Sequence, residues 1–321
     1  MSKVDLTISI VSTDEARLLD KCLTLLFSGI SKRVSFEVFV VNNLGIVKIS
    51  RLIRTKYRTV KIIENDQRKG FSENHNQVID KSSGKYVLVM NPDVFIEEGF
   101  IDNLFEAIEA DKSIGIIMGK LIRSQEEAVI DSTGLVILKS RRTIDRGQGE
   151  KDRGQYDKSG EIFSASGAAM LCRRGMLEDI KLFGEYFDGS FRLYKEDLDL
   201  SWRARLRGWK VVYVPEAIAI HARGWGTDRS RHGVPRWIRR ESYKNRYLLM
   251  IKNDHLINVL RDLPFILWHE VKALAYMIFR EPHLFLAWAP ILISLPLTFR
   301  KRAEIMKRDT VGAMEIRKWF I

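Results

Sequence analysis

Apolar and polar positions change period repeatedly along the first 110 residues. Leu6–Ser12 is a short β-branched run, the pattern of a buried strand. Residues 14–27 then place Leu19, Cys22, Leu23 and Leu26 on one helical face. Strand-like runs recur at 36–41, 59–63 and 85–90, separated by helical stretches at 46–57 and 71–81 and followed by one at 98–111. Strands joined by helices of this length predict an α/β fold with a mostly parallel sheet and helices on both faces. In such sheets ligands bind beyond the carboxyl ends of the strands. Residues 12–14, 42–43, 64–66 and 91–93 are therefore the places to find chemistry.

Further along, the pattern weakens and then changes. Residues 141–161 are rich in Gly, Arg, Lys and Asp without periodicity, which predicts a long mobile loop. Strand character returns at 162–173 around Ser166-Gly167-Ala168-Ala169. A helix is predicted over 196–207, with Leu198, Trp202 and Leu206 in register and Gly208 as its stop. Residues 210–214 read as a strand closed by Pro215. From 226 onward Arg229, Arg231, Arg236, Arg239, Arg240, Lys244 and Arg246 crowd together, and 256–299 is strongly apolar. Its longest charge-free piece, 282–299, contains Pro290 and Pro296 and runs into Arg300, Lys301 and Arg302. That is short for a span and suits a helical segment lying in a membrane interface. Two units are expected: 1–225, carrying the sheet, and 226–321, a basic and apolar helical region.

The 321 residues are 45% hydrophobic and 29% charged, which excludes disordered and fibrous classes. The net charge of +12 is uneven, because residues 226–321 hold 18 basic against 9 acidic side chains. Such a surplus favours a polyanionic partner. No nucleic-acid recognition motif is present, and the basic residues adjoin Trp, Phe and Leu, so an anionic membrane surface is expected rather than nucleic acid. Cys22 and Cys172 lie in apolar runs outside any CxxC, which predicts buried free thiols in a reducing compartment. The first residues lack the apolar stretch of a signal peptide, so a cytoplasmic location is expected.

Four groups could carry chemistry. Asn91-Pro92-Asp93 ends a strand, and a carboxylate there can hold a hard cation that bridges phosphates, although the tripeptide is also good turn chemistry. Glu196, Asp197 and Asp199 open a helix. The helix dipole favours acids there, and one of them could equally serve as a general base. His221 could ligate a metal through a neutral ring nitrogen or be structural. The N–H groups of Gly70-Phe71-Ser72 could meet a phosphate or a sugar hydroxyl.

Taken in order, these segments resemble a family 2 glycosyltransferase of the GT-A type, with its Rossmann-like sheet, in the rhamnosyltransferase-like branch. The resemblance covers residues 5–253. It runs through Val11-Ser12-Thr13-Asp14, Val40-Val41-Asn42-Asn43, Glu64-Asn65, Gly70-Phe71-Ser72, Asn76 and Asn91-Pro92-Asp93-Val94. It continues with Ser166-Gly167-Ala168-Ala169, Phe183-Gly184-Glu185, Tyr194-Lys195-Glu196-Asp197-Leu198-Asp199, Gly208-Trp209 and His221. The family implies a nucleotide-sugar donor lying over Ser12, Asp14, Asn42, Asn65, Gly70, Phe71, Asn76, Asn91 and Asp93. It implies a divalent cation, Mg2+ or Mn2+, on Asp93 and His221, with Asp197 as general base and Glu196 beside it. Two positions depart from the family: Asn42 and Asn91 stand where aspartates are usual, which leaves fewer charges for nucleotide and metal. Arg223, Arg229, Arg231, Lys244 and Arg246 are candidates to close over a diphosphate. The resemblance implies an inverting transfer, with dTDP-L-rhamnose as the expected donor. The expected acceptor is a glycan or a polyprenyl-diphosphate-linked glycan at the inner face of the cell membrane. Another donor, such as a galactofuranose nucleotide, or a catalytically inert binding module, stays open.

Overall fold

The computed structural model describes residues 4–30, 33–126, 128–223 and 233–321. The predicted alternation forms its first half. β1 (Leu6–Ser12), α1 (Ala16–Gly29), β2 (Phe36–Asn42), α2 (Val47–Lys56), β3 (Lys61–Glu64), α3 (Phe71–Lys81) and β4 (Tyr86–Met90) follow in turn. β1 lies between β2 and β4 and pairs parallel with both, and β2 pairs parallel with β3. Side chains alternate across a strand. Val38 and Val40 of β2 accordingly join Leu19, Leu23, Ile49 and Ile53 in the main core, while Phe39 and Val41 meet Val78 of α3 on the opposite face. Helices thus cover both faces, as expected.

The second half adds strands that the pattern hid. β5 (Val94–Ile96) and α4 (Phe100–Ala110) lead into β6 (Ile114–Ile122), which is buried at every position. A strand covered on both faces has no alternation to read. β7 (Ile130–Ser132) pairs with β6, and β8 (Leu135–Ile137) forms a small hairpin with β9 (Thr143–Asp145). After β10 (Gly160–Glu161) comes β11 (Ala169–Arg173), antiparallel between β4 and β6. α5 (Arg174–Asp179) and α6 (Glu196–Leu206) precede β12 (Lys210–His221). The sheet reads β10-β12-β6-β11-β4-β1-β2-β3, parallel at four of its seven pairings.

Two expectations change here. The strand from Lys210 does not end at Pro215: a bulge between Val214 and Ile218 absorbs the proline, and pairing with β6 resumes. Gly119 allows this, since a Cβ there would collide with the carbonyl of Ala217. Residues 141–161 are not a structureless loop. Arg141 is fully buried, its guanidinium bonded to Asp254 at 2.7 Å and Asp262 at 2.8 Å and stacked over Phe320.

α7 (Arg236–Asn253), α8 (Leu256–Arg261), α9 (Leu263–Phe279), a 3-10 turn (Pro282–Ala287), α10 (Trp288–Lys307) and α11 (Ala313–Arg317) complete the chain. A second core joins Ile137, Phe163, Leu198 and Trp202 to Leu248, Leu249, Ile305 and Phe320. Residues from both sides of position 225 share it, and the expected boundary itself lies outside the described residues. Pro282–Lys307 is long and apolar enough to cross a membrane by length and composition. Its basic end is tied down: Lys301 is buried and pairs with Asp188 at 2.5 Å, and Arg302 donates to the carbonyls of Ile251 and Asp254. Arg308 likewise turns inward to the carbonyls of Lys181 and Asp179. Lys301 and Arg302, expected to face an anionic surface, are therefore spent inside the protein, and so is Arg308.

Candidate active site

β1, β2 and β4 end together, and a web of amides closes their edge. Asn42 is fully buried; its carbonyl accepts the Ile46 N–H at 2.9 Å and its amide donates to Ile46 O and Ser50 Oγ. It therefore fixes the entry to α2, a local role that asparagine fills without charge. Asn43 bridges to the backbone of Lys69, and Asn65 donates to Asn43 and Asn74. Ser12 is fully buried, and its Oγ has no hydrogen-bond partner among the described residues. Asp14 is exposed beside it.

The start of α3 is occupied by protein. The Gly70 N–H is bonded by Glu73 at 2.9 Å, the Phe71 N–H by the Arg192 carbonyl at 2.9 Å, and the Ser72 hydroxyl by the Phe191 carbonyl. Free N–H groups for a ligand, expected at this turn, are absent for Gly70 and Phe71. Gly70 is required for closeness instead, because a Cβ would sit 2.8 Å from the Arg192 carbonyl oxygen. Asn76 is similarly engaged, exchanging two hydrogen bonds with the backbone of Phe187. Together these contacts clamp the 187–195 segment over the strand ends.

Asp93 lies just past β4, and the extension of β12 brings His221 opposite Val94. His221 Nε2 is 3.6 Å from Asp93 Oδ1, while its Nδ1 is 2.8 Å from Asp131 Oδ2. Asp131 is buried and also accepts from Arg223 at 2.6 Å. Burial alone would lower the imidazole; the bonds and charges of Asp131 and Asp93 instead push it up to about 9. Burial would raise Asp131, but His221 and Arg223 hold its carboxyl below the usual range. Glu15 is raised by burial and then by the charges of Asp93 and Asp14, which places those acids in one neighbourhood. Among the described residues no three His, Cys, Asp or Glu side chains are gathered to hold an ion. A cation bound here would displace the Nε2 proton of His221, and its remaining ligands would come from a phosphate-bearing molecule.

Asp197 is tied to the same strand ends. The Gly167 N–H donates to it at 2.9 Å and the Leu198 N–H at 2.7 Å. The neighbouring Ala168 carbonyl accepts the Asn91 N–H, so segment 166–168 ties the two acidic motifs together. Gly167 lets Asp197 approach, since a Cβ there would meet the aspartate Cβ at 3.3 Å. Tyr194 and Lys195 enter α6 with φ of +68° and +71°, a strained entry of the kind found at functional sites. Burial raises Asp197, opposed by its two N–H bonds and the Lys195 charge. The helix dipole alone does not keep its pKa at the ordinary value. Burial, then the Asp197 charge, raises Glu196 well above its usual range, and its Oε2 has no partner among the described residues. Asp199 is spent structurally, bonded to Arg203 and Lys252.

Three participants escaped the sequence reading. Asp131 orients His221, and burial lifts Asp145, which feels Arg223, Asp131 and Asp197, to about 6. Lys195, brought down to about 8 by burial, is the third. Asp131 and Asp145 sit in short strands that carry no distinguishing pattern. Of the arginines and lysines expected near a diphosphate, Arg223 belongs to this cluster. Arg246 is bonded to Glu270 and the Ser140 carbonyl, and Lys244 to Glu241. Arg229 and Arg231 lie outside the described residues.

A model of the glycosyltransferase like family 2 matches residues 4–241. The chain belongs to this family. It is 29% identical over 162 residues to the N-acetylglucosaminyl-diphospho-decaprenol L-rhamnosyltransferase of Mycobacterium tuberculosis, in strains CDC 1551 / Oshkosh and H37Rv. The match covers 45% of this glycosyltransferase and 49% of each relative, so it spans about half the length of these relatives. Solved GT-A glycosyltransferases share the fold. GalNAc-T7, crystallised with UDP, GalNAc and Mn2+, matches 78% of this chain and 48% of its own at a TM-score of 0.60 and 14% identity. The mannosyltransferase PcManGT of Pyrobaculum calidifontis, in complex with GDP-Man and Mn2+, matches 92% and 76% at 0.56 and 14%. Identities this low speak for the fold alone.

Proposed function

We propose that this glycosyltransferase moves L-rhamnose from dTDP-L-rhamnose to a hydroxyl of a polyprenyl-diphosphate-linked glycan, with inversion, at an anionic membrane surface. The reading rests on one connection: Asp93 and His221 pair beyond the end of β4, and segment 166–168 bonds both to Asn91 beside them and to Asp197. The mycobacterial relative, which by name is a rhamnosyltransferase using a diphospho-decaprenol substrate, supports the sugar and the acceptor class.

In this reading Asp93 and His221 would hold a divalent cation, Mg2+ or Mn2+, which would supply positive charge against the leaving nucleoside diphosphate. Asp131 keeps the His221 ring turned so that Nε2 faces Asp93. Asp197 takes the proton of the acceptor hydroxyl as that oxygen attacks the anomeric carbon. The Gly167 and Leu198 N–H groups hold its carboxylate in place. Attack from the side opposite the leaving diphosphate inverts the configuration. Ser12, Asp14, Asn91 and the amide web of Asn42 and Asn65 frame the donor, with Asn76, Gly70 and Phe71 setting the wall above it.

The membrane part rests on the surface of α8, α9, the 3-10 turn and α10. Leu260, Phe265, Trp268, Val271, Ile278, Phe279, Leu286, Leu292 and Ile293 are all exposed there. Arg261, Lys272, Arg280, Arg300 and Lys307 are exposed among them. An apolar face with basic side chains fits an anionic bilayer interface.

The deciding experiment is a panel of nucleotide sugars measured by thermal stabilisation with and without Mn2+, because a ligand of the native state raises the melting temperature. dTDP-L-rhamnose with Mn2+ should shift it most, and Asp93→Ala should abolish the metal-dependent part. Equal shifts with UDP-galactofuranose would move the assignment to that donor, and no shift with any nucleotide sugar would overturn the reading.

A further inference from the structure

A pocket of about 250 Å³ opens between α7, the 3-10 turn and the start of α10. Its described lining divides into two kinds. Arg192, Arg240 and Lys244 supply cations against one acid, Glu241, while Trp237, Leu286, Ala287 and Pro290 supply apolar walls. Neither Arg192 nor Arg240 has an ion-pair partner among the described residues. Lys244 is buried and bonded to Glu241 at 2.7 Å and to the Ser190 carbonyl. Beyond the lining Arg239 is paired with the buried Glu281, and burial, then the charges of Arg239, Arg236 and Arg240, hold His283 below its ordinary value against Glu281.

Two neighbours give the pocket a direction. On one side its apolar wall is continuous with the exposed face, because Trp237, Leu286 and Pro290 are themselves exposed. On the other side Arg192 belongs to the segment clamped onto α3 by the Phe71 and Ser72 bonds, and that segment runs directly into Asp197. Arg192 and Asp197 are five residues apart, so at most about 18 Å separates their backbones. A glycan anchored at the pocket has at most that distance to span to Asp197.

We propose that this pocket seats the diphosphate of the lipid-linked acceptor, with the prenyl chain leaving along the apolar helices. The inference deepens the proposed function and rests on it for the identity of the carrier. A diphosphate suits the excess of cations, and the lipid tail suits walls that open onto the exposed apolar surface. Arginine forks suit phosphate oxygens in particular.

The test is binding of the full chain to phosphatidylcholine vesicles containing polyprenyl diphosphate. Vesicles with phosphatidylglycerol at matched charge serve as one comparison and added inorganic pyrophosphate as another. Polyprenyl diphosphate should bind about tenfold tighter than matched phosphatidylglycerol, the scale of lost charge-assisted hydrogen bonds. Pyrophosphate should compete for that excess only. The Arg192→Ala/Arg240→Ala variant should fall to the phosphatidylglycerol level while its stabilisation by dTDP-L-rhamnose is unchanged. Equal binding to both vesicle types, or an unaltered excess in the variant, overturns the pocket. The nucleotide shift is a separate readout: its absence in the wild-type chain would overturn the donor reading, whatever the vesicles do.

Discussion

At the scale of single residues, the candidate site is built from neighbours that fix direction and protonation. Asp197→Asn should keep donor binding and lose turnover by about 10²-fold or more, as removal of a general base does. Near-normal turnover would hand the role to another acid. The pH dependence has a definite sign. A base must be ionised, and burial raises the Asp197 pKa, so kcat should fall as pH drops through a value above the ordinary carboxylate range. An acid limb at or below that range would contradict the assignment. Asp131 is a positioning residue: Asp131→Asn should weaken Mn2+ affinity, measured by calorimetry with dTDP present, by about 10- to 100-fold. A purely structural Asp131 would change the melting temperature and leave that affinity alone. Legibility in the sequence followed chemistry here. Asp93, Asp197 and His221 stood out by residue type and motif, whereas Asp131 and Asp145 act through partners up to 92 positions away and leave no local trace. Asn42 and Gly70 stood out too, yet each is used by its own backbone surroundings.

At the scale of elements, regular periodicity was readable and tertiary rescue was not. β1 through β4 and their helices alternate as written, because each helix buries one stripe and each strand is short and apolar. β6 escaped because Ile114–Ile122 is covered on both faces, with Lys120 made tolerable by its salt bridges to Asp152 at 2.8 Å and to Asp157. β12 escaped because its bulge carries the strand past Pro215 to His221. Arg141 looked like a loop residue until Asp254 and Asp262, more than a hundred positions away, closed around it. The clamp between α3 and the 187–195 segment is the joint most open to test. Gly70→Ala places a methyl against the Arg192 backbone, which cannot rotate away, so the overpacking should cost about 1–3 kcal/mol. A urea titration should show a lower midpoint at unchanged slope, and an unchanged midpoint would mean that the clamp is loose.

At the scale of the whole molecule, the catalytic sheet and the C-terminal helices are joined rather than strung together. Asp188 makes the joint clearest: buried between Lys252 of α7 and Lys301 of α10, it lies at the start of the segment tied to α3. With Lys301 held there, α10 cannot leave the protein to span a bilayer without stranding a buried charge, which is strongly destabilising. The docking proposed above is therefore side-on, through the exposed faces of α8, α9 and α10. The attraction differs from that suggested by the run of bases after Phe299. Arg300 and Lys307 remain outward, whereas Arg261, Lys272 and Arg280 supply the rest, at about 1 kcal/mol for each basic residue near an anionic surface. The apolar part should persist when salt screens the charges. Flotation with vesicles of graded phosphatidylglycerol content should therefore show binding that rises with anionic lipid and weakens, without vanishing, at high salt. The Trp268→Ser/Phe279→Ser variant changes two exposed side chains that pack little within the chain. It should leave the melting temperature in place and remove the salt-resistant fraction. Salt-resistant binding that survives in this variant would place the contact on another face, and failure of the wild-type chain to float at any composition would end the docking proposal.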